Sequence, residues 1–351
     1  MKYSIIVPVY NRPDEVEELL ESLTRQKGCD FDIHIVEDGS TVSCSDVCGR
    51  YARRFGGRLY YHEKENGGPG AARNFGAARA EGDYFIVLDS DVVLPEGYLA
   101  AIDAELAAEP CDAFGGPDRA HPSFTPVQKA ISYAMTSFFT TGGIRGGRRK
   151  LDKFYPRSFN MGVSRGLWQR LGGFRAMRFG EDIDFSIRIF ESGASCRLFP
   201  EAWVWHKRRT DFRKFFRQVY NSGVARINLH LLHPGSMKLV HMLPAAFTLG
   251  CIALAVAFVI GLLMLPFGSV RNVGTALCCV GVLLPLLYAL LIFLDSSIRN
   301  RSVRVGLLSV PASFVQLIGY GSGFLSAVWK RLVKKQAGEG FDFESNKKFY
   351  G

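Results

Sequence analysis

The sequence predicts an α/β fold, with a mostly parallel sheet and flanking helices, followed by helices in a membrane. Short apolar runs such as residues 85–88 alternate with helical patterns, an order typical of parallel strands joined by right-handed crossovers. These runs lack an alternating polar face, as expected for strands that helices cover on both sides. From Met242 onward the chain is mostly apolar, whereas the part before it has the charged composition of a soluble domain.

Strand and helix patterns follow each other through the first part of the chain. Pro13 is expected in the first turn of a helix, where its missing N–H removes no hydrogen bond. Four apolar residues of this helix, from Val16 to Leu23, recur at helical spacing and are expected to face the sheet. Strands are predicted at residues 4–9, 31–36, 59–62, 85–88, 112–116, 159–163 and 202–206, and helices at 13–23, 46–55, 71–80, 165–171 and 211–232.

The central strand, residues 85–88, is followed by Asp89, Ser90 and Asp91. Two carboxylates with one residue between them, at the end of a buried strand, can hold a hard divalent cation through oxygen ligands. Such an ion can neutralise a diphosphate. The alternative is an ordinary solvated strand end, since Asp and Ser are common loop residues.

Polar residues that leave the predicted strands are expected to meet at one edge of the sheet. Asn11 follows the first strand, Asp38 the second, and the Asp89–Asp91 pair the central one. In open α/β sheets, ligands bind beyond the carboxyl ends of the strands, near the point where strand order reverses. The sequence therefore predicts one site built from residues that are distant along the chain.

A glycine-rich loop at residues 66–70 precedes a helix, whose N-terminal N–H groups can meet an anion. The loop matches neither a GxGxxG nor a Walker pattern, so dinucleotide and P-loop interpretations are poorly supported. A simple turn is the alternative interpretation. Arg73 and Asn74 follow in the helix and either reach the same edge or lie on a solvated helix face.

Two further polar features are candidates for the site. Glu181, Asp182 and Asp184 open a helix, where acids suit the helix dipole, but three acids exceed what a cap needs. His206 leaves the predicted strand at 202–206 and is either a third metal ligand or a structural histidine.

Three long runs without Asp, Glu, Lys or Arg predict a membrane region at residues 239–335. The first two, at about 242–268 and 273–294, meet the roughly 20 residues that a helix needs to cross a bilayer. The third, at 305–329, contains Pro311, Gln316, Gly319, Gly321 and Gly323, so we expect it to be broken, tilted or interfacial. The other predicted parts are a soluble domain at residues 1–235, with an amphipathic interfacial helix at 211–232, and a tail at 336–351.

The charge distribution predicts a cytoplasmic soluble domain attached to the inner membrane by a multi-pass region. The N-terminus leads straight into a strand, and no signal peptide is visible. Basic residues precede the first apolar run and follow the second, as expected for a hairpin with both ends inside. Two crossings with an interfacial or re-entrant third segment are favoured over three, because a third crossing would place outside a basic cluster: Lys330, Arg331, Lys334 and Lys335.

The net charge of +10 fits either nucleic-acid binding or a domain on an anionic leaflet that uses an anionic substrate. The apolar tail favours membrane lipid as the partner. No nucleic acid is expected, since aromatic residues are not interleaved with basic ones in a stacking pattern. The eight cysteines form no CxxC pair, which argues against a zinc site and fits a reducing cytoplasm.

Five short motifs occur in the order found in a known family. They are Val-Pro-Val-Tyr-Asn at 7–11, Glu-Asp-Gly-Ser-Thr at 37–41, Asn-Gly-Gly through Ala-Arg-Asn at 66–74, Asp-Ser-Asp at 89–91 and Gly-Glu-Asp at 180–182. In this order they resemble the family-2 glycosyltransferases of the GT-A fold, over roughly residues 2–206. Any one of these motifs is weak, whereas five in the right order are specific.

The resemblance implies a role for each motif. Asp89 and Asp91, with His206 completing the shell, would hold the sugar diphosphate through Mg²⁺ or Mn²⁺. Asp182 would be the catalytic base, with Glu181 beside it. The acceptor side is assigned to Asn160, Gly162 and Trp205, and donor-nucleotide binding to Pro8, Val9, Tyr10, Asn11, Asp38, Asn66, Gly67, Arg73, Asp89 and Ser90.

Two departures from the family pattern bear on function. Glu37 stands where the family often has Asp, which leaves its role open. Processive polysaccharide synthases carry a Gln-x-x-Arg-Trp motif after the base, whereas residues 216–220 read Phe-Arg-Gln-Val-Tyr. The addition of one sugar per encounter is therefore the better interpretation.

The sequence therefore predicts an inverting, metal-dependent glycosyltransferase. A nucleotide-sugar donor, most simply a UDP-sugar, would give its sugar to a hydroxyl of a lipid-linked or cell-envelope saccharide. Two alternatives stay open: sugar transfer to polyprenyl phosphate, and a degenerate, non-catalytic membrane protein that binds the donor. No sequence feature specifies an oligomeric state.

Overall fold

The computed structural model describes residues 1–121, 123–141, 154–207 and 210–333, and the chain forms two compact units. Within the described residues, the first unit contains residues 1–121 and 154–207, and the second contains 123–141 and 210–333. The predicted domain limits at residues 235 and 239 stay a prediction, and the predicted tail at 336–351 lies outside the described residues.

The first unit is built on a seven-stranded sheet and a small three-stranded sheet. In chain order the strands are β1 (Lys2–Val9), β2 (Asp30–Asp38), β3 (Leu59–Lys64), β4 (Tyr84–Leu88), β5 (Val92–Val93), β6 (Ala113–Gly115), β7 (Asp118–Arg119), β8 (Asn160–Ser164), β9 (Cys196–Leu198) and β10 (Val204–His206). The large sheet has the order β3-β2-β1-β4-β8-β6-β9, and the small one β5-β10-β7. The first four strands of the large sheet are parallel, and β8 is antiparallel to both β4 and β6. The predicted mostly parallel sheet with flanking helices is confirmed.

Helices flank the large sheet of the first unit and make up most of the described second unit. The first unit holds α1 (Pro13–Thr24), α2 (Ser45–Ala52), α3 (Pro69–Ala77), α4 (Tyr98–Ala108), α7 (Arg165–Leu171) and α8 (Glu181–Glu191). The second holds α5 (Pro126–Thr136), α6 (Phe138–Thr141), α9 (Phe212–Leu232), α10 (Leu239–Met264), α11 (Arg271–Asn300) and α12 (Val303–Val328), followed by a π-helical turn at Trp329–Val333.

Strand β1 shows why the central strands are apolar on both faces. Ile5 and Val7 pack into one core cluster, and Ile6 between them packs into another, because successive side chains of a strand point to opposite faces. The predicted apolar face of α1, Val16, Leu19, Leu20 and Leu23, is fully buried in the first of these clusters. At about 1.5–3 kcal/mol for each fully buried side chain, this two-sided burial is the main source of the sheet's stability.

Of the small sheet, only β10 lies in a predicted strand, at residues 202–206; β5 and β7 were not predicted, because strands of two residues carry no periodic signal. Strand β5 begins directly after Asp91, and β10 pairs with it antiparallel, so that His206 lies opposite Val92. This register brings the end of β10 to the polar turn that follows the central strand.

In the second unit, three helices are long and apolar enough to cross a membrane: α10, α11 and α12. Of the three alternatives for the third run, a broken helix does not occur, since α12 is continuous from Val303 to Val328, and a tilted or interfacial helix stays a prediction. Its glycines instead permit close packing: a Cβ at Gly319 would lie 2.6 Å from Val219 of α9, and one at Gly321 would overlap Thr248 of α10. Small residues have this function where helices approach closely.

Gly162 of β8 provides a test of the core packing. A Cβ at this position would overlap the ring of Phe114, whereas a Cβ at Gly166, in α7, would meet nothing within 4 Å. We expect Gly162→Ala to destabilise the protein by about 1–3 kcal/mol through overpacking. Gly166→Ala is expected to be neutral or slightly stabilising, because alanine favours a helix. Thermal unfolding of the two variants and the parent in detergent measures the difference. Equal melting temperatures for both variants would contradict this account of the β8 core.

Candidate active site

The candidate site lies at the carboxyl ends of the parallel strands. The chain leaves β1 at Tyr10 and Asn11, β2 ends at Asp38, and β4 is followed by Asp89 and Asp91. The parallel register of β1 with β2 and β4 places all three exits at one edge of the sheet. The N-termini of α3 and α8 contact each other near this edge, since a Cβ at Gly70 would lie 3.5 Å from Glu181. The predicted convergence of distant residues is therefore present in the structure.

Asp89, Asp91 and His206 form a cluster in which one ligand atom from each side chain lies within 4.8 Å of the others. His206 Nε2 is 3.2 Å from Asp91 Oδ1, and Arg12 donates to Asp91 Oδ2 over 3.1 Å. The ring of Phe159 packs against His206, with 4.9 Å between centroids. Two carboxylates and an imidazole form a donor set that suits Mn²⁺ better than the all-oxygen shell preferred by Mg²⁺. The residues present therefore fit a divalent metal ion.

Arg73 connects this cluster to the acids of α8. Its side chain is buried and donates to Asp89 Oδ1 over 2.8 Å and to Glu181 Oε1 over 2.9 Å. The guanidinium also lies over the ring of Phe174, 5.1 Å from its centroid. Arg73 was predicted to bind the donor nucleotide. The structure instead places it below the surface, as a bridge that holds two acids at the spacing of one guanidinium group.

Glu181 and Asp182 are neighbours in the first turn of α8 but have different environments. Burial alone would raise the pKa of Asp182, but Arg157, whose Nε is 2.6 Å from Asp182 Oδ2, lowers that pKa below its usual value. Burial is also the main cause at Glu181, where it outweighs Arg73 and, together with the charge of Asp182, raises the pKa. Asp182 is therefore the stronger acid of the pair, and Glu181 loses its proton less readily than an ordinary glutamate does.

Asp184, the third acid of this group, has a structural role. Its side chain is completely buried, and its two oxygens accept from Arg175 and Arg188, each over 2.9 Å. A buried carboxylate needs such partners, because an unpaired charge in the interior is strongly destabilising. Only the first two acids of α8 thus belong to the candidate site.

Asp38 holds the glycine-rich loop. Its carboxylate accepts from the backbone N–H groups of Gly67 (2.9 Å) and Gly68 (2.7 Å) and from Lys64 Nζ (2.6 Å). The Asn66 side chain donates to the carbonyl of Asp38 over 2.7 Å. In this structure the Asp38 carboxylate supports the loop that leads into α3, and its direct role in nucleotide binding stays a prediction.

Asn11 and Glu37 shape the loop that follows β2. Asn11 Oδ1 accepts from the N–H groups of Thr41 (2.7 Å) and Val42 (2.9 Å). Glu37 is buried and accepts from Ser40, from the N–H of Cys44 (2.7 Å) and from Tyr61 (3.1 Å). The role of Glu37, left open by the sequence, is therefore to anchor this loop.

The other residues predicted to bind the donor differ in exposure. Pro8 lies within β1, opposite Val36, and the side chain of Val9 belongs to the core, so Val9 offers only its backbone. Tyr10 is half exposed at the exit of β1. Ser90 is buried between the two aspartates of the metal cluster.

Two of the three residues assigned to the acceptor side are structural. Asn160 is buried, accepts from the hydroxyl of Tyr98 over 2.6 Å and donates to the carbonyl of Ala202 over 2.7 Å. Gly162 faces Phe114 in the core. The burial of both residues does not support a role on the acceptor side, and their assignment stays a prediction. Trp205 is partly buried in the small sheet and packs edge-to-face against His121, so its assignment stays a prediction.

Sequence reasoning missed three arginines near the site: Arg12, Arg157 and Arg178. Arg12 adjoins Asn11 in the exit loop of β1, and this position next to a predicted site residue could have identified it. Arg157 lies in an irregular segment without a motif. Arg178 precedes α8 and is buried, and burial lowers the pKa of its guanidinium to about 10.

The comparison with protein families identifies the first part of the chain. Residues 4–171 match the family model described as Glycosyl transferase family 2. This range contains four of the five motifs quoted above, and the fifth, at residues 180–182, follows it closely. The match covers β1 to β8 and the first seven helices.

Curated proteins that resemble this chain include glycosyltransferases of bacterial envelope polymers. A segment is 36% identical over 93 residues to the poly(ribitol-phosphate) beta-N-acetylglucosaminyltransferase TarS of Staphylococcus aureus strain Mu50, covering 26% of this chain and 16% of TarS. The poly(ribitol-phosphate) beta-glucosyltransferase of Bacillus spizizenii is 39% identical over 94 residues, which cover 26% of this chain and 15% of that protein. Glycosyltransferase GlyG of Streptococcus pneumoniae is 26% identical over 113 residues, 32% of this chain and 38% of GlyG. The chain thus spans well under half the length of each of these relatives.

A solved glycosyltransferase structure shares the fold. The mannosyltransferase PcManGT from Pyrobaculum calidifontis, in complex with GDP-Man and Mn²⁺, has a TM-score of 0.53 at 18% identity, over 95% of this chain and 88% of PcManGT. TarS 1-349 of S. aureus in complex with UDP-GlcNAc has a TM-score of 0.47 at 18% identity, over 96% of this chain and 93% of that one. The likeness to PcManGT, with the family match, confirms the predicted GT-A type of fold.

The Arg73 bridge predicts a large effect of one substitution. Arg73→Met would leave Glu181 buried without its cation, and breaking a buried pair typically costs about 3–5 kcal/mol. Arg79→Met is the matched control, because Arg79 is exposed, lies just beyond α3 and contacts the ring of Phe75. We expect a clear drop in melting temperature for the first variant and little change for the second. If Arg73→Met melted like the control, the bridge would not be a main support of the site.

Proposed function

We propose that this protein, which belongs to glycosyltransferase family 2, transfers a sugar from a nucleotide diphosphate donor to a hydroxyl group of a cell-envelope saccharide. The observation that carries the proposal is the placement of the Asp89–Asp91–His206 cluster and the Glu181–Asp182 pair on either side of Arg73. A metal-binding set and an ionised carboxylate at one edge of a parallel sheet are the two parts that inverting sugar transfer needs.

The donor and acceptor classes follow from the relatives. Their names describe transfer of N-acetylglucosamine or glucose to poly(ribitol phosphate), with β linkage. We therefore propose a UDP-sugar as donor and an envelope polymer or a lipid-linked precursor as acceptor. One inversion at the anomeric carbon converts an α-linked donor into a β-linked product, which agrees with a single displacement. The basic residues around the apolar helices support a cytoplasmic position for the first unit.

In the proposed mechanism, each acid has one task. Asp89, Asp91 and His206 would hold a divalent metal ion, which would neutralise the charge that develops on the leaving diphosphate. Asp182 accepts the proton of the acceptor hydroxyl as that oxygen attacks the anomeric carbon from the opposite face. Arg157 holds the Asp182 carboxylate in place before the acceptor arrives, with 2.6 Å between Arg157 Nε and Oδ2. Glu181 fixes Arg73, and through it the position of Asp89.

The ion pair between Arg157 and Asp182 also favours a second candidate function, sugar transfer to polyprenyl phosphate. That acceptor is already an anion and needs no base, so a carboxylate held by an arginine would then be structural. The two candidates differ in their dependence on Asp182, as described below.

The metal assignment is tested at His206. We expect His206→Ala to weaken Mn²⁺ binding in the presence of UDP by at least about tenfold, a size typical of losing a group that supports a metal site. His121→Ala is the matched control, because His121 packs on Trp205 near the same small sheet but lies outside the three-residue cluster. Calorimetric titration with Mn²⁺ measures the affinities. EDTA should abolish UDP release from UDP-sugars, and added Mn²⁺ should restore it. Unchanged Mn²⁺ affinity in His206→Ala would remove His206 from the site.

The catalytic base is tested at Asp182. Asp182→Asn should bind UDP with Mn²⁺ nearly as tightly as the parent, while turnover falls about 10²–10⁴-fold, the usual contribution of a general base. Asp14→Asn, an exposed acid of α1, serves as the control and should keep full activity. The assay follows UDP release from UDP-GlcNAc and UDP-glucose with a ribitol-phosphate polymer or with polyprenyl phosphate as acceptor. Transfer to polyprenyl phosphate that survives in Asp182→Asn would favour the second candidate over the first.

A further inference from the structure

The second unit contains three apolar helices, and they differ in how much protein covers them. The mean hydropathy of the most apolar window is 2.6 for α10 and 2.8 for α11 but 1.3 for α12, and 39% of the α12 window is buried against 11% and 6%. Helix α12 is thus less apolar and more enclosed than its neighbours. We infer that α12 does not cross the membrane but lies with α9 in the headgroup interface, across one end of an α10–α11 hairpin that does cross.

The first observation is where α12 meets the hairpin. On α10 it contacts the first turns: Gly321 packs against Pro244, and Leu317 accepts from the Thr248 hydroxyl over 3.4 Å. On α11 it contacts the C-terminal half, where Phe314 packs on the ring of Tyr288 at 5.6 Å. The hydroxyls of Ser309 and Ser296 lie 2.7 Å apart. These positions on α10 and α11 belong to the same end of the hairpin, since Phe247 of α10 packs on Tyr288 of α11 at 5.3 Å.

In the other half of the α10–α11 hairpin, the buried residues are not covered by α12. Beyond Thr248, the buried residue of α10 is Gly261, and before Ile292 the buried residue of α11 is Gly274. These two glycines face each other, with the carbonyl of Gly274 2.7 Å from a Cβ built on Gly261. Their burial therefore comes from α10 and α11 themselves. With a rise of 1.5 Å per residue, α12 is roughly 39 Å long. A crossing helix of that length, packed on the hairpin, would cover both halves of α10 and α11, whereas the contacts of α12 lie in one half of each.

The second observation is that α9 follows α12 along much of its length and in the same direction. Val219 meets Gly319, Tyr220 meets Gly323, and Gly223 meets Phe324. Farther along, Ile227 packs in one cluster with Phe324 and Ala327. Wherever α12 lies relative to the bilayer, α9 must lie there as well.

The charges of α9 distinguish a membrane-crossing position of α12 from an interfacial one. Arg213, Lys214 and Arg217 are all exposed. Arg217 adjoins Phe216, which packs on Gly319 about 5 Å from the midpoint of α12 at the usual helical rise. If α12 crossed the bilayer, Arg217 would face hydrocarbon near the midplane, at a cost of about 3 kcal/mol or more. In the interface the same arginine meets lipid phosphates, an attraction of about 1 kcal/mol per basic residue on an anionic leaflet.

The exposed apolar residues fit this position. Phe216 is 39% exposed beside the basic residues of α9, and Leu307 of α12 and Trp329 after it are 60% and 55% exposed. An apolar face next to a basic one is the surface by which interfacial helices bind lipid, and tryptophan is enriched at that depth. The partner of the α9–α12 pair is therefore the headgroup region of the membrane.

The inference is tested by labelling the full-length protein in sealed membrane vesicles of one orientation with a membrane-impermeant maleimide. Ser236→Cys lies before α10, Ser269→Cys between α10 and α11, and Lys330→Cys just after α12. Peptide mass identifies the labelled cysteine, so native thiols do not interfere. We expect Lys330→Cys to react from the same side as Ser236→Cys, and Ser269→Cys from the opposite side. Reaction of Lys330→Cys from the side of Ser269→Cys would overturn the proposal, because α12 would then cross.

A second measurement does not depend on sidedness. A nitroxide on Arg217→Cys should be relaxed strongly by a water-soluble nickel chelate and weakly by oxygen, as expected at headgroup depth. The control position is Leu284→Cys in the exposed apolar face of α11, where oxygen should dominate. An Arg217→Cys label with the oxygen-dominated response of the control would overturn the proposal. Neither measurement involves sugar transfer, so the outcome is independent of the proposed reaction.

Discussion

The candidate site depends on one buried cation. Arg73 is almost completely enclosed, and its guanidinium joins Asp89, which follows β4, to Glu181, which opens α8. These acids are far apart in the chain, and without a shared cation their charges would repel each other at this distance. Desolvating an arginine is unfavourable by itself, and the two carboxylates offset that cost only in this arrangement. The bridge therefore fixes the metal cluster relative to the base, and other contacts of the site are arranged around it.

The same enclosure gives neighbouring acids different tasks. Glu181 faces Arg73 inside the protein, and Asp182 faces Arg157, which is one-third exposed. One residue further into α8, Ile183 donates its N–H to Asp182 Oδ1 over 2.9 Å. Burial and the choice of arginine, rather than the type of acid, thus set which carboxylate keeps its charge. Asp184 shows the same effect of environment, because it is completely buried and both of its oxygens accept from arginines, so it has a structural role.

The sequence was sufficient to predict the elements that have a strong hydrophobic periodicity and the polar motifs at the ends of the strands. β1, β2, β4 and α1 were predicted close to their observed limits, because apolar runs and helical spacing reflect two-sided burial directly. The pairing of β10 with β5 was not predicted, although His206 was named as a ligand, since strands this short are held by their neighbours alone. Residue type alone also did not reveal which partners a polar side chain binds. Asp38 and Asn160 are residue types common in binding sites. In the structure, Asp38 accepts from Gly67 and Gly68, and Asn160 binds Tyr98 and Ala202. Such occupancy depends on loop geometry that no local pattern encodes.

The glycines of α12 show the same ambiguity in the second unit. In a sequence, a run that combines glycines, a proline and apolar residues predicts a broken helix, because glycine weakens an isolated helix by up to about 1 kcal/mol per residue. In the structure the helix is continuous, since each glycine lets the backbone of a neighbour approach: Gly319 and Gly323 accommodate α9, and Gly321 accommodates α10. The packing gained at these contacts offsets the weaker propensity. Small residues in an otherwise apolar run therefore indicate contact with protein rather than lipid, and the lower mean hydropathy of α12, 1.3, has the same origin.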